Sequence, residues 1–214
     1  MRMLITAGPT REYFDSVRFV SNPSSGKMGY AIASCAAQRG HATVLVSGPV
    51  DLPDPQGVEV LRVVSAEEMF QVTTSKFDKC HAAVMTAAVC DSRPARRLLH
   101  KIKKQDHPRT ILLIPTKDIC EHLGAIKGDR IVIGFAMEDH DHRKNAEAKL
   151  ERKRCDAIVL NGIRNVGADS GEIEILRADT GWAQSYRGTK QAIAAAVVDL
   201  VEALQALGRC GPRP

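Results

Sequence analysis

The feature that most constrains this chain is a series of short apolar runs, each closed by turn residues. Met3-Leu4-Ile5-Thr6-Ala7 runs into Gly8-Pro9-Thr10-Arg11, and Ala42 to Val46 runs into Ser47-Gly48-Pro49. Val58 to Val64, Ala82 to Thr86, Thr110 to Ile114, Arg130 to Ala136 and Asp156 to Leu160 continue the series. Short continuous apolar runs bounded by turns are what strands buried on both faces look like. Helical segments stand between them: Tyr30 to Arg39, a segment opened by the Ser65…Glu68 capping box, Lys117 to Lys127, and Asp141 to Arg154. This alternation predicts βαβ units, hence an α/β, Rossmann-like, mostly parallel sheet with helices on both faces.

The pattern changes near the C-terminus. Glu172-Ile173-Glu174-Ile175-Leu176 alternates polar and apolar residues, Asp179-Thr180-Gly181 turns, and Trp182 to Tyr186 returns. That is a β-hairpin, expected as an extension over about 168–188. An Ala/Val/Leu-rich helix follows at 189–207, then a tail, Gly208 to Pro214, expected to fray. No composition shift divides the chain, so 1–214 is expected to be one domain.

Composition excludes several classes. With 44% hydrophobic and 26% charged residues, the chain has enough apolar mass for a core and is not disordered. Aromatics make up 4%, too few for base stacking along a nucleic-acid strand. The net charge of +5 is modest, and no block of like charges resembles a nucleic-acid tail. Neither a signal peptide nor a membrane-spanning run is read from the sequence, and no membrane partner is expected. Cys35, Cys80, Cys90, Cys120, Cys155 and Cys210 are scattered without a C-x-x-C pair, which reads as reduced thiols in a cytoplasmic protein. The His140/His142 pair reads as surface, and no zinc motif is present.

The chemistry concentrates at strand ends. The stretch Arg18 to Gly29 connects the first strand to the first helix, the edge where open α/β sheets bind ligands. Backbone amides at Ser24, Ser25 and Gly26 would face an anion at a positive helix end, with Ser24 or Ser25 as N-cap. Asn22 adds a neutral amide. Gly8-Pro9-Thr10, Ala87 to Asp91 and Gly134-Phe135 end strands on the same side. Lys101 stands in a basic segment, Ser92 to Gln105, expected to be a mobile loop. Lys149 and Lys153 lie four apart, on one helical face. Fixed lysines neutralise charge on a leaving pyrophosphate, which points to nucleotidyl transfer. Neither a P-loop nor a Ser-His-Asp elbow is present.

Several long stretches together resemble a known family. They are Ile5-Thr6-Ala7-Gly8-Pro9-Thr10-Arg11-Glu12, Val17 to Asn22, Ser24-Ser25-Gly26-Lys27-Met28-Gly29, Ala87-Ala88-Val89 with Asp91, Lys101 to Lys104, Gly134-Phe135-Ala136 with Glu138, and Lys149 to Lys153. They are similar, in order and over nearly the whole chain, to phosphopantothenoylcysteine synthetase, the ligase of coenzyme A biosynthesis. The chain departs from the usual pattern at Cys90, Ser92, Lys117, Met137 and Gly162, and retains Asn22, Asp91, Lys101, Lys149 and Lys153.

The resemblance implies a bacterial form of the ligase standing alone, without a fused flavin-dependent decarboxylase. It implies a homodimer, with the hairpin as the expected contact, and the substrates 4′-phosphopantothenate, L-cysteine and CTP, with Mg²⁺ bridging the triphosphate and no protein metal ligand assigned. The pantothenate carboxylate would attack the α-phosphate of CTP, giving an acyl-cytidylate and pyrophosphate; the cysteine amine would then displace CMP. Asn22 matches the residue that carries the second step, and Arg18 lies on the same substrate side. Lys101 matches a flap lysine required for the first step. Ala87, Ala88, Asp91, Phe135, Lys149 and Lys153 match nucleotide contacts, alongside the Gly8, Ser24, Ser25 and Gly26 backbone.

Two other readings are weighed. An NAD(P)-dependent reductase on a Rossmann-like sheet would need an early G-x-G-x-x-G, whereas only Gly26 and Gly29 supply G-x-x-G, well after the first strand. A nucleotide-binding module without catalysis differs from the ligase in turnover alone.

Overall fold

A computed structural model describes residues 1–104, 106–162, 167–183 and 185–209. The strands are β1 (Arg2–Ala7), β2 (Arg11–Tyr13), β3 (Phe19–Ser21), β4 (Ala42–Ser47), β5 (Val58–Arg62), β6 (Ala82–Met85), β7 (Ser92–Pro94), β8 (Leu113–Pro115), β9 (Ile131–Glu138), β10 (Ala157–Gly162), β11 (Ser170–Arg177), β12 (Gly181–Trp182) and β13 (Tyr186–Thr189). The helices are α1 (Lys27–Gln38), α2 (Ala66–Phe77), α3 (Ile119–Ile126), α4 (His142–Arg152) and α5 (Lys190–Leu204), the last continuing into a wider π-type turn over Gln205–Arg209.

The main sheet runs β12-β11-β10-β9-β6-β1-β4-β5, with β13 also on β11. Every pair from β5 to β10 is parallel. In chain order these six strands are arranged third, second, first, fourth, fifth, sixth, the doubly wound order. The winding direction therefore reverses between β1 and β6. β1 shows why the apolar runs are continuous. Met3, Ile5 and Ala7 face a core shared with α1 and α5, while Leu4 faces a second core under α2, α3 and α4. Successive strand residues point to opposite faces, and helices cover both.

The expected hairpin extends the sheet: β11 joins it, antiparallel to β10, with Ala157 opposite Arg177 and Asn161 opposite Ile173. Other expectations need correction. The basic segment after Asp91 opens as a strand: Ser92 pairs with Pro115 and Pro94 with Leu113. A second small ribbon, β2 with β3, was not foreseen, since three-residue strands carry no readable period. The helix expected from Tyr30 begins at Lys27, and its N-cap is Gly26 at φ 74°, not Ser24 or Ser25.

The membrane reading also needs qualification. Lys190–Gly208 is 19 residues long with mean hydropathy 1.4, long and apolar enough to cross a bilayer. Here it is a core helix, with Ile193, Ala194, Val197, Val198, Val201 and Leu204 buried. Gln105, Gln184, Cys210 and the expected tail from residue 210 onward lie outside the described residues.

Candidate active site

A cavity of about 800 Å³ opens at the carboxyl ends of β1, β6 and β9, at the point where the strand order reverses. Close packing fixes the first helix over it. A Cβ on Gly29 would lie 2.5 Å from both Ala7 Cβ and Thr86 Oγ1, so α1 rests directly on the strand ends. No side chain caps α1, and its first-turn amides stand at the cavity wall with Ser24, Ser25 and Gly26. A bare helix N-terminus favours an anion.

The opposite wall is the segment after β6. The Ala87 amide donates to Thr6 Oγ1 at 3.2 Å, and the Ala88 amide to the Gly8 carbonyl at 2.9 Å. Farther on, the Cys90 amide donates to Thr10 Oγ1 at 3.0 Å, and Thr116 Oγ1 donates to the Cys90 carbonyl at 2.6 Å. Asn22 crosses between the walls: its Nδ2 donates to the Ala88 and Val89 carbonyls at 3.2 and 3.0 Å. Both bonds use the amide nitrogen, so Asn22 reads the backbone beside the cavity in a way no carboxylate could.

The lining is markedly cationic. Lys27, Lys117, Lys149, Arg152, Lys153 and Lys190 face Asp91, Asp118 and Glu121. Most of these cations rest on nearby carboxylates. Lys27 Nζ lies 2.6 Å from Asp169 Oδ1, Lys117 Nζ 3.0 Å from Glu67 Oε1, and Lys153 Nζ 2.9 Å from Asp118 Oδ2. Lys149 Nζ is 2.5 Å from Glu138 Oε1, an ion pair without good hydrogen-bond alignment. Arg152 reaches Asp118 and Glu121 at 3.8 and 3.9 Å.

Burial raises the affinity of the Asp118 carboxyl for its proton. The hydrogen bonds from Lys153 and the Glu121 amide, with the charges of Lys153 and Arg152, outweigh it and hold the group below the usual carboxylate range. For Lys153, burial favours loss of the proton, but the bond to Asp118 wins and raises its pKa. Lys190 shifts the other way. It is 7% exposed, and desolvation together with the Lys27 charge lowers its pKa despite Asp169.

Ten of the expected site residues thus meet around one cavity: Asn22, Ser24, Ser25, Gly26, Ala87, Ala88, Asp91, Phe135, Lys149 and Lys153. Three do not line it. Gly8 lies beneath the wall at φ 76°, where a Cβ would sit 2.8 Å from Val50 Cγ1. It supports Ala88 through its carbonyl rather than facing a ligand. Arg18 Nη1 donates to Asp15 Oδ2 at 3.1 Å and to the Ile102 carbonyl at 3.2 Å, which ties the β2–β3 ribbon to the basic segment. Lys101 is exposed in that segment.

Sequence reasoning left Lys27, Lys117, Arg152 and Lys190 out of the site, and did not assign Thr116 and Asp118 as nucleotide contacts because Lys117 departs from the family pattern; all six line the cavity. Lys27 stands inside the stretch that was singled out, and Lys190 directly follows the N-cap of α5, so position was the available signal. It also missed that Cys120 and Cys155 meet, with their sulfurs 3.5 Å apart.

The model of the DNA/pantothenate metabolism flavoprotein C-terminal domain family matches residues 1–204. The chain belongs to that family. It is 45% identical over 170 residues to the coenzyme A biosynthesis bifunctional protein CoaBC of Bacillus subtilis, covering 79% of this chain and 42% of that protein. The chain spans about half the length of the curated relatives it matches. The crystal structure of the C-terminal domain of CoaBC superposes with a TM-score of 0.81 at 35% identity, over 96% of this chain and 95% of that one. A Cab2 variant in complex with phosphopantothenate-cysteine has the same fold, with a TM-score of 0.81 at 14% identity, over 97% of this chain and 88% of that chain. The family match over residues 1–204 takes in every strand of the nine-stranded sheet.

Among the described residues, no group of three His, Cys, Asp or Glu side chains is close enough to hold a metal ion. A Mg²⁺ carried by substrate phosphates, with waters completing its shell, needs no such cage. Among the described residues, Asp91 is a cavity carboxylate with no ion pair.

Proposed function

We propose that the chain is the ligase domain that joins 4′-phosphopantothenate to L-cysteine, using CTP with Mg²⁺. The observation that carries this reading is the six-cation lining, which faces an uncapped helix N-terminus at the sheet's switch point. Such a cavity suits a triphosphate, and two solved structures of this fold bear coenzyme A names or a phosphopantothenate-cysteine ligand.

The substrate carboxylate attacks the α-phosphorus of CTP, the bond to the β-phosphate oxygen breaks, and pyrophosphate leaves. Lys149 and Lys153, released from Glu138 and Asp118, compensate the charge on the departing phosphates. Mg²⁺ would neutralise further charge on the triphosphate. The cysteine amine then attacks the acyl carbon, and CMP leaves with the electron pair. Asn22, a neutral amide, borders this step without adding a charge that would repel the acyl phosphate. Lys101 enters when the basic segment folds over the ligand and excludes water. The working unit is a cytoplasmic homodimer.

The test is pyrophosphate release with 4′-phosphopantothenate and Mg²⁺, with CTP and ATP in separate reactions, each with and without cysteine. Release with CTP, and amide product plus CMP only with cysteine, is the expected result. A folded protein that binds CTP but is silent in every reaction would make the chain a binding module. Hydride transfer from a nicotinamide nucleotide would revive the reductase reading.

A further inference from the structure

A pair of thiols that the reaction does not use lies at the cavity, Cys120 in its lining and Cys155 behind it. Cys120 lies in the first turn of α3, two residues after Asp118; Cys155 lies just past α4, two residues after Lys153. The pair therefore brackets the Asp118–Lys153 ion pair from behind. The sulfurs are 3.5 Å apart and buried. Cys120 lines the cavity, so a small solute that enters can reach it.

The surrounding backbone holds the thiols together. A Cβ on Gly134 would lie 3.3 Å from Cys155 Sγ and 3.4 Å from Cys120 Sγ, so both sulfurs fill the space above this one residue of β9. A Cβ on Gly124 would lie 1.8 Å from the Lys153 carbonyl oxygen, so α3 is in backbone contact with the turn carrying Cys155. That turn is fixed by the Cys155 amide donating to the Leu150 carbonyl at 3.1 Å, with Arg154 at φ 50°. These contacts hold the two backbone segments that carry the thiols side by side.

We propose that Cys120 and Cys155 are a redox modification site: a peroxide entering the cavity converts them to a disulfide that displaces the Lys153 turn and weakens nucleotide binding. The Cys120 thiolate attacks one peroxide oxygen, the O–O bond breaks, hydroxide leaves and a sulfenic acid forms. The Cys155 sulfur then attacks the Cys120 sulfur, forming the S–S bond and expelling the hydroxyl as water. Two thiols and hydrogen peroxide give one disulfide and two waters, with two electrons passing from sulfur to peroxide. A dithiol reverses the change.

The contact with the Cys155 thiol and the Lys153 charge outweigh burial and hold the Cys120 thiol below its usual range, while the same contact and burial push Cys155 up. Cys120, the one of the two that lines the cavity, meets the peroxide first and is the attacking group. Closure from 3.5 Å to about 2.05 Å draws the Cys155 turn toward α3 in this proposal, and Lys153 and Asp118 each stand two residues from a bonded sulfur. The loss of nucleotide affinity rests on the reading of the cavity given above; the disulfide itself does not.

The experiment treats the whole chain with a few equivalents of hydrogen peroxide, blocks remaining thiols, digests without reductant and measures peptide masses, alongside CTP binding by calorimetry. The expected result is a linked peptide pair carrying Cys120 and Cys155, and a CTP Kd raised at least fivefold and restored by dithiothreitol. Cys155→Ala, which alters no residue lining the cavity, should bind CTP normally and lose the peroxide effect. Should that variant fold poorly, the wild-type peptide masses still decide. Both cysteines recovered fully alkylated after peroxide would overturn the proposal, as would a linked pair with unchanged CTP affinity. Reduced protein that binds no CTP, yet yields the linked pair, would strike the nucleotide reading and leave the disulfide standing.

Discussion

Lys153 Nζ lies 2.9 Å from Asp118 Oδ2, joining the end of α4 to the N-cap of α3 across the floor of the cavity. Asp118 also accepts the Glu121 amide at 3.1 Å. The carboxylate therefore caps a helix and parks a cation at once.

These two roles can be separated. Asn caps a helix about as well as Asp, so Asp118→Asn removes the ion pair and spares the cap. With its counter-charge gone, Lys153 is held less firmly, and a triphosphate no longer competes with Asp118 for it. Pyrophosphate-yielding turnover should change at least threefold, while the urea midpoint moves little. A large drop in midpoint with unchanged turnover would show the pair to be structural.

The sign of the pH dependence follows from the same pair. The folded-state pKa of Asp118 is depressed, so its stabilisation is fully present above the ordinary value of about 3.9 and is lost as pH falls through the lower folded value. Asp15 acts in the same direction. It is fully buried, and Oδ1 accepts the Val17 and Arg18 amides at 2.7 Å each. Burial pushes its carboxyl up, but the amides of Arg18, Val17 and Ile102 and the Arg18 charge prevail. Thermal melts from pH 7 to pH 3 should stay level to about pH 4 and then fall, and Asp118→Asn should shrink the fall. A decline that begins near pH 6 would rule out these two carboxylates as its source.

Some of this was legible in the sequence, for physical reasons. β1, β4, β6, β9 and β10 are buried on both faces, so each reads as an unbroken apolar run. Asn22 stands just past β3, and Lys149 and Lys153 stand at the end of α4, in stretches whose residue types marked them. The short ribbons β2–β3 and β7–β8 carry three residues per strand, too few for a period to appear. The cap of α1 was misread because Ser24 and Ser25 are good caps by type, whereas the backbone turns left-handed at Gly26. The meeting of Cys120 and Cys155 depends on β9 and β10 being neighbours, which no local pattern encodes.

Gly29→Ala tests the seat of α1. The new Cβ would lie 2.5 Å from Ala7 Cβ and 3.0 Å from the Thr6 carbonyl oxygen, so the helix must lift from the sheet. Overpacking of this kind costs about 1–3 kcal/mol, less about 0.5–1 kcal/mol regained because Ala suits a helix better than Gly. The urea midpoint should fall, and CTP binding should fall with it. An unchanged midpoint would mean that the helix has slack at this contact.

Lys101→Ala asks whether an exposed residue outside the cavity lining takes part in the first step. Its side chain makes no ion pair among the described residues, so the substitution should leave the urea midpoint unchanged. Arg18 Nη1 and Asp15 Oδ2 already bind the backbone of the adjacent Ile102, at 3.2 Å each, which gives the segment a fixed hinge beside Asn22's ribbon. Closure about that hinge would carry Lys101 to the phosphates, so single-turnover pyrophosphate release should drop at least tenfold in the variant. Release at the wild-type rate would remove Lys101 from the mechanism and leave the charge compensation to Lys149 and Lys153.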